Sequence, residues 1–485
     1  MLATLEALRP IIIATLSGVL AVIASTHAIL NKRDVRAAVA WVGLIWLVPV
    51  LGSVLYALLG INRIRRRATE LRKLGMDIQT VARDTFTEWK VVAEELTQPQ
   101  AHLETLARVV GRVTGRPLLA GNTLFPLVDG DAAYPEMLRA IGSAKRSIAL
   151  STYIFDRGAV GAEFATALAS AVERGVQVRV LIDAVGARYS FPSPSMNSEL
   201  KKAGIPVARF MRSLWPWRMP FANLRSHRKV LVVDGTTGFT GGMNIRDGHL
   251  LAQRPRRAVQ DLQFRVDGPV VGQLMQVFAE DWAFTTKEVL QGDMWFPQLE
   301  EVGAVVARGI SDGPGEDLDK LRMTLLGAIA AARSRITIVT PYFLPDRELI
   351  TALNIASMSG VQVRIVLPLK NNQPLVAWAA MAQLWQVLER GCRVFHTAPP
   401  FDHTKLMIVD ETWTLVGSAN WDPRSLRLNF EYNLECYDEG LAGEMELLTE
   451  QKLRGARELT KAAVDARSFP VQLRDGIARL LSPYI

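Results

Sequence analysis

His403-Thr404-Lys405-Leu406-Met407-Ile408-Val409-Asp410 repeats the plan of an earlier run, His227-Arg228-Lys229-Val230-Leu231-Val232-Val233-Asp234. In each, histidine and lysine stand two apart, and an apolar, strand-forming stretch carries the chain to an aspartate. Residues two apart on a strand point the same way, so each copy is expected to present an imidazole and an ammonium to one pocket. A single such motif arises by chance in a long basic chain; two in corresponding places of an internal repeat are a strong signal. The repeat extends outward from them. Gly360-Val361-Gln362-Val363-Arg364-Ile365-Val366 follows Gly175-Val176-Gln177-Val178-Arg179-Val180-Leu181 almost letter for letter, and Ile336 to Tyr342 matches Ser147 to Tyr153. Glu163 to Arg174 reads as an amphipathic helix between two strands, which gives α/β order. A chain of 485 residues exceeds one ordinary core. Two homologous α/β halves packed together are expected, over 117–295 and 296–485, with the junction in the Gly- and Pro-rich stretch between Gln291 and Asp317.

At matched distance past each motif come Gly241, Gly242 and Asn244, then Gly417, Ser418 and Asn420. Glycine lets a backbone turn close to a ligand, and serine and asparagine donate hydrogen bonds to phosphate oxygens. Taken alone, a Gly-Gly turn reads as a hairpin. The matched spacing makes Gly242, Asn244, Ser418 and Asn420 candidates for substrate binding.

The N-terminus has a different character. Ile11 to Leu30 carry no formal charge, enough for a helix of ~30 Å, the thickness of a bilayer's hydrocarbon core. A second apolar run, Ala37 to Gly60, follows a short charged turn, so residues 1–62 read as a transmembrane helical hairpin that Pro49 kinks. A cleaved signal peptide would have a basic start, a shorter apolar run and no second span. Arg63, Arg65, Arg66, Arg67, Arg72 and Lys73 outnumber Lys32, Arg33 and Arg36 in the turn, which places both termini in the cytoplasm. His27, inside the first run, is either functional or a polar residue satisfied near the interface. Residues 63–116 are polar and helix-prone, as expected of a juxtamembrane connector. The net charge of +8 favours an anionic partner: a phospholipid surface, a phosphate-bearing substrate or a nucleic acid. Cys392 and Cys436 have neither zinc nor disulfide spacing and read as buried hydrophobes.

The duplicated H-x-K-x4-D motif resembles the signature of the phospholipase D superfamily, and Gly417 to Glu431 is similar to the corresponding run of its cardiolipin synthase family. The tail Ile477 to Ile485 also resembles that family's ending, while Trp421 departs from it where a smaller aliphatic residue is expected, a change touching acyl-chain or acceptor preference. The resemblance implies one site between the halves, with His227 as nucleophile, His403 as acid and base, and Lys229 and Lys405 on the non-bridging oxygens. Asp234 and Asp410 complete the catalytic motifs, with the task of securing their loops. Asp261 and Glu431 resemble the family's acidic residues that orient the histidine rings. His102, His249 and His396 read as ordinary residues.

The reaction so implied joins two phosphatidylglycerols into cardiolipin and glycerol through a phosphohistidine, with no cofactor and no metal, since the lysines supply the positive charge. Partners would be membrane phospholipids and no nucleic acid, in a multi-pass protein of the bacterial inner (cytoplasmic) membrane whose catalytic halves are cytoplasmic; self-association is compatible with the sequence. A phospholipase D hydrolase, another phosphatidyltransferase, a nuclease and a silent scaffold are the alternatives. The membrane anchor argues against the nuclease and the intact motifs against the scaffold. Leu214 to Phe221, aromatic, basic and broken by proline, reads either as a lid reaching the interface or as a packed loop.

Overall fold

The computed structural model describes residues 2–32, 35–60, 102–186, 196–211, 224–314 and 317–482. Residues 63–101 of the connector expected over 63–116, the arginine cluster, the Leu214 to Phe221 loop and the last residues from Pro483 lie outside them; the described end of that stretch is the helix Glu104–Thr114, which buries Leu106, Ala107 and Val110 in a core with Leu321 and Leu325. The chain divides into an N-terminal unit and a larger unit that holds both motifs.

Val230 to Val233 and Leu406 to Val409 are buried along their whole length. Val230, Val232, Leu406 and Ile408 enter one core; Leu231 and Val233 enter a second, and Met407 and Val409 a third. A strand covered on both faces needs continuous apolar composition, which is why these runs do not alternate with polar residues.

The first half contains β1 (Leu119–Val128), β2 (Ser147–Thr152), β3 (Gln177–Asp183), β4 (Val207–Phe210), β5 (Arg225–Ser226), β6 (Val230–Val233), β7 (Thr237–Gly241), β8 (Val259–Gln260) and β9 (Leu262–Asp267). The second contains β10 (Val305–Asp312), β11 (Arg335–Val339), β12 (Gln362–Pro368), β13 (Arg393–Thr397), β14 (Phe401–Asp402), β15 (Leu406–Val409), β16 (Trp413–Gly417), β17 (Asn429–Tyr437) and β18 (Arg457–Leu459). Their spatial orders correspond strand for strand: β4-β3-β2-β6-β7-β9-β1 and β13-β12-β11-β15-β16-β17-β10, with β18 added at one edge. Antiparallel pairing of β1 with β10 joins the two into one sheet. The helices Ala159–Glu173 and Arg347–Met358 make the crossovers between the parallel pairs β2/β3 and β11/β12. Helices Val271–Thr286 and Glu439–Leu453 cover the core that both halves share. The duplicated α/β fold expected from the repeat is present.

Each motif aspartate opens a tight turn. Asp234 and Gly235 have φ of 53° and 72°, Asp410 and Glu411 of 52° and 56°, and the N–H groups of Thr236 and Thr412 close back on the carbonyls of Val233 and Val409. Two successive positive φ values match the twist of a hairpin.

The N-terminal unit begins with a helix over Leu2–Asn31, of which Ile11–Asn31 is long and apolar enough to cross a bilayer. The expected second span is broken: Val35–Leu47 and Pro49–Leu55 are separate helices, because Pro49 has no N–H to continue the first, and a π-helical turn over Tyr56–Gly60 follows. Among the described residues only the first of these helices is long enough by itself to span. The helices pack through Ala21, Ala28, Ile45 and Tyr56, and His27 Nδ1 lies 2.8 Å from the Tyr56 hydroxyl. His27 is thus satisfied within the unit. The chain carries a membrane-associated segment, and large apolar side chains such as Ile23 and Ile29 point outward from it.

Candidate active site

Two short strands carry each histidine into the opposite half. β5 pairs in parallel with Asn429 and Phe430 of β17, and the N–H of His227 donates to the Phe430 carbonyl at 2.8 Å. In the second half β14 pairs in the same way with β8, and the N–H of His403 donates to the Gln260 carbonyl, also at 2.8 Å.

Each imidazole consequently meets a carboxylate that belongs to the other half. His227 Nδ1 lies 3.0 Å from Glu431 Oε2 and 3.0 Å from the Ser418 carbonyl, and His403 Nδ1 lies 2.7 Å from Asp261 Oδ2. Carbonyl and carboxylate oxygens only accept, so the proton of each neutral ring sits on Nδ1 and the lone pair on Nε2. Lys229 Nζ donates to the His227 carbonyl at 2.7 Å, and Lys405 Nζ to the His403 carbonyl. Both lysines are almost wholly buried.

The two carboxylates are not equivalent. Glu431 accepts from Ser418 Oγ at 2.5 Å and from Asn429 Nδ2 at 3.0 Å, whereas Asp261 accepts the N–H of its neighbour Leu262 at 2.9 Å. Burial pushes the Asp261 carboxyl up; for Glu431, burial acts in the same direction but His227, Lys229 and Ser418 outweigh it and hold the group below the usual range. Burial also lowers the proton affinity of His227, against the pull of Glu431, and drives His403 well below its ordinary value with help from Lys405, Lys229 and His227. Lys229 is brought down to about 7 and Lys405 to about 8, chiefly by burial. The cations from the two halves thus disfavour one another inside a buried pocket, and a bound anion relieves that repulsion.

The other expected site residues divide. The Asn244 side chain accepts from the Ile154 N–H at 3.0 Å. Asn420 is buried beside Lys405 and Trp421, and its Oδ1 has no hydrogen-bond partner among the described residues. Gly242 and Ser418 face the carboxylates. The Gly242 N–H donates to Leu262, and a side chain there would run into Asp261; the Ser418 hydroxyl is engaged by Glu431. The motif aspartates are a correction to the catalytic grouping. Asp234 lies past the far end of β6 and accepts from the N–H groups of Lys145, Arg146 and Ser147, while Asp410 accepts from those of Arg333, Ser334 and Arg335 and from His102 Nε2 at 2.9 Å. They secure loops and do not enter the pocket. His102, read as ordinary, belongs to that support. Trp421 stacks on Phe343 with ring centres 6.0 Å apart.

Three further residues escaped the sequence reading. The Tyr153 ring stands 5.3 Å from that of His227, and the Tyr342 ring 6.4 Å from that of His403, both edge-on. These tyrosines sit just past β2 and β11, and the matched strand ends were the signal for them. Arg228, between His227 and Lys229, is buried, donates to Asp281 Oδ1 at 2.7 Å and to the Glu431 carbonyl at 3.1 Å, and so ties the first motif to β17. A charged residue where the other copy has Thr404 marked that asymmetry. Among the described residues no His, Cys, Asp and Glu cluster has the form of a metal site.

Comparison with known proteins places this geometry. Residues 137–282 and 325–452 match the family described as "Cardiolipin synthase, PLD-like domain", and residues 19–60 match "Phospholipase_D-nuclease N-terminal". A "Cardiolipin synthase A" of Pseudomonas fluorescens is 31% identical over 468 residues, covering 96% of both chains. A "Cardiolipin synthase 1" of Bacillus cereus is 29% identical over 472 residues, covering 94% of this chain and 90% of that one. The crystal structure of a phosphatidylserine synthase from Haemophilus influenzae shares the fold, with a TM-score of 0.62 at 15% identity over 78% of this chain and all of that one. With both motif-bearing halves matched and near-complete coverage by curated relatives, the chain belongs to the cardiolipin synthase family of the phospholipase D superfamily.

Proposed function

We propose that this enzyme transfers the phosphatidyl group of one phosphatidylglycerol to the hydroxyl of a second, giving cardiolipin and glycerol. The observation that carries the mechanism is the crossed pairing of each histidine with a carboxylate of the other half, which fixes both lone pairs on Nε2. His227 Nε2 attacks phosphorus, the phosphorus–oxygen bond to glycerol breaks, and His403 gives its proton to the departing oxygen. His403 then takes the proton of the incoming phosphatidylglycerol hydroxyl, whose oxygen attacks phosphorus as the bond to His227 breaks. His403 acquires its proton as the anionic diester enters, because that charge offsets the two lysines that otherwise hold the ring neutral. Lys229 and Lys405 take the non-bridging oxygens, with the amides of Asn244 and Asn420 beside them.

Assignment of the nucleophile to His227 is supported by the asymmetry of the carboxylates. A phosphorylated imidazole that keeps its Nδ1 proton is a cation, and Glu431, held ionised by Ser418 and Asn429, is the stronger counter-charge. Enzyme quenched during turnover of phosphatidylglycerol labelled at phosphorus should carry acid-labile, alkali-stable label. His403→Ala should retain some of it and His227→Ala none; label on His227→Ala alone would exchange the two roles.

The same reading places the protein in the bacterial inner membrane through a hairpin over 1–62, with a connector over 63–116 and catalytic halves over 117–295 and 296–485 on the cytoplasmic side. It is supported by the apolar helices that continue from Val35 to Gly60 after the first span. A reporter joined after Ile485 should be active only in the cytoplasm.

A further inference from the structure

The helix Phe469–Leu480 is amphipathic the wrong way round for a helix on a globular domain. Its inward side carries Asp475 and Ala478, both buried. The Asp475 carboxylate is gripped by Arg467 and Arg474, and the Arg474 guanidinium lies 4.4 Å from the centre of the Trp378 ring. The rotation of the helix is fixed by contacts to other elements: Arg474 on Trp378, Arg467 donating to the Met381 carbonyl at 3.3 Å, and Ala478 packed with Leu344, Ala379 and Ala380. They leave Phe469, Leu473, Ile477, Leu480 and Leu481 outward, exposed by 75%, 52%, 54%, 73% and 42%. Positions 469, 473, 477 and 480 follow one another at helical spacing, so these side chains form one continuous stripe.

A stripe of this kind marks an interaction surface, because scattered apolar residues are ordinary but a contiguous run facing water is not. Its place is also informative. Ala478 packs with Leu344, Ala379 and Ala380, and Leu344 is two residues from Tyr342, whose ring stands edge-on to His403. The Tyr342 hydroxyl donates to Asn372 at 2.6 Å, in a loop flanked by exposed Leu369 and Leu375. The helix is therefore linked through Leu344 to the loop that carries Tyr342 beside His403.

We propose that this helix lies in the headgroup region of a bilayer, giving the catalytic unit its own membrane contact at the His403 rim of the site. A second copy of the chain is a poorer occupant, since one face of one helix falls short of the roughly 20–30 residues per side of a stable protein interface. A bilayer imposes no such minimum, accepts any helix with an apolar face and a polar one, and favours a chain whose net charge is +8. The membrane-associated helix of this chain keeps such a surface close at hand. The contact would let a lipid leave the bilayer directly beside the acid-base histidine, a clause that rests on the lipid substrate proposed above.

The test is a depth measurement on the full chain in vesicles of phosphatidylglycerol and phosphatidylcholine. Cys392 and Cys436 are buried, so a spin label can be placed at Ile477→Cys, at Leu473→Cys should the first variant fold poorly, and at exposed Thr166→Cys as reference. The label on the helix should relax with dissolved oxygen and be shielded from a water-soluble nickel chelate in vesicles, while the reference stays open to the chelate. Equal chelate access at both positions would overturn the proposal. So would shielding from oxygen and chelate alike, which means protein covers the stripe, or spin–spin broadening, which means a second copy does. None of these outcomes depends on what lipid the enzyme transfers. As an activity readout, Leu473→Gln with Ile477→Gln should lower turnover of vesicle-borne lipid about tenfold or more, the factor expected for withdrawing a well-buried aliphatic side chain, and leave turnover in mixed micelles unchanged. An equal loss in micelles would assign the helix a purely structural role.

Discussion

Glu431→Gln removes one negative charge from the site while preserving its shape. The carboxylate is fully buried and accepts from His227, Ser418 and Asn429. A hydrogen bond to a charged group contributes about 1.5–3 kcal/mol, and a unit charge pair at ~4 Å with an effective dielectric near 20 about 4 kcal/mol. A loss of about 2–4 kcal/mol at the transition state corresponds to a kcat about 30- to 1000-fold lower. The effect should fall on kcat and spare KM, because the His227 ring gains positive charge only as the phosphorus–nitrogen bond forms. Glu431 also raises the proton affinity of His227, so without it the ring stays unprotonated to lower pH. The acid limb of kcat/KM should therefore shift downward even as the rate collapses. Steady-state kinetics from pH 5 to 9, with a thermal melt to show that the fold persists, measures all of this. A kcat within threefold of wild type, or an acid limb displaced upward, would refute the assignment of Glu431 to a charged His227.

Three other outcomes follow from the same geometry. His227→Ala and His403→Ala should each abolish transfer, with the double variant scarcely worse than either, because the two act as a unit; additive partial losses would contradict this. Lys229→Met should be inactive yet melt higher at neutral pH. Lys229 titrates near 7 when folded and near 10.4 when unfolded, so between these values the unfolded chain binds more protons and burial of the cation opposes folding by up to a few kcal/mol. That penalty fades as pH rises through the window, and the gap in melting temperature between variant and wild type should close by about pH 10. Asp410→Asn should cost about 2–3 kcal/mol of stability, since the carboxylate caps the N–H groups of Arg333, Ser334 and Arg335, while kcat of the folded enzyme stays within a few fold of wild type.

The duplication, the α/β class and the two motifs were legible because they are local: a strand's composition and a spacing of two residues need no knowledge of partners. Ser147–Thr152 and Arg335–Val339 are strands in equivalent places for that reason. The crossing between halves was not legible. Nothing in the sequence says that Glu431 belongs to His227 and not to the nearer His403, because that choice is made by β5 and β14, each two residues long and each pairing with a strand of the other half. Asp261 and Glu431 were singled out through family resemblance, and their partners came from topology. Ser418 was expected to touch phosphate because its residue type can; Glu431, at 2.5 Å, takes the hydroxyl first. Pro49 was visible as a kink, and its missing N–H divides the second apolar run into two helices. The outward apolar stripe of Phe469–Leu480 could not be oriented from its periodicity alone, since an amphipathic pattern fixes a face but not which way it turns; the contacts of Arg474 with Trp378 and of Ala478 with Leu344, Ala379 and Ala380 do that.

The most direct test of the central claim is the product ratio from phosphatidylglycerol supplied as the only lipid. Purified enzyme in vesicles, with substrate labelled in both the phosphatidyl phosphate and the headgroup glycerol, should release one free glycerol for each cardiolipin formed. Added glycerol should drive the reaction back towards phosphatidylglycerol, because the exchanged phosphodiesters are alike. Phosphatidic acid as the main product, with glycerol without effect, would contradict transfer and show that water is the acceptor of the phosphatidyl group.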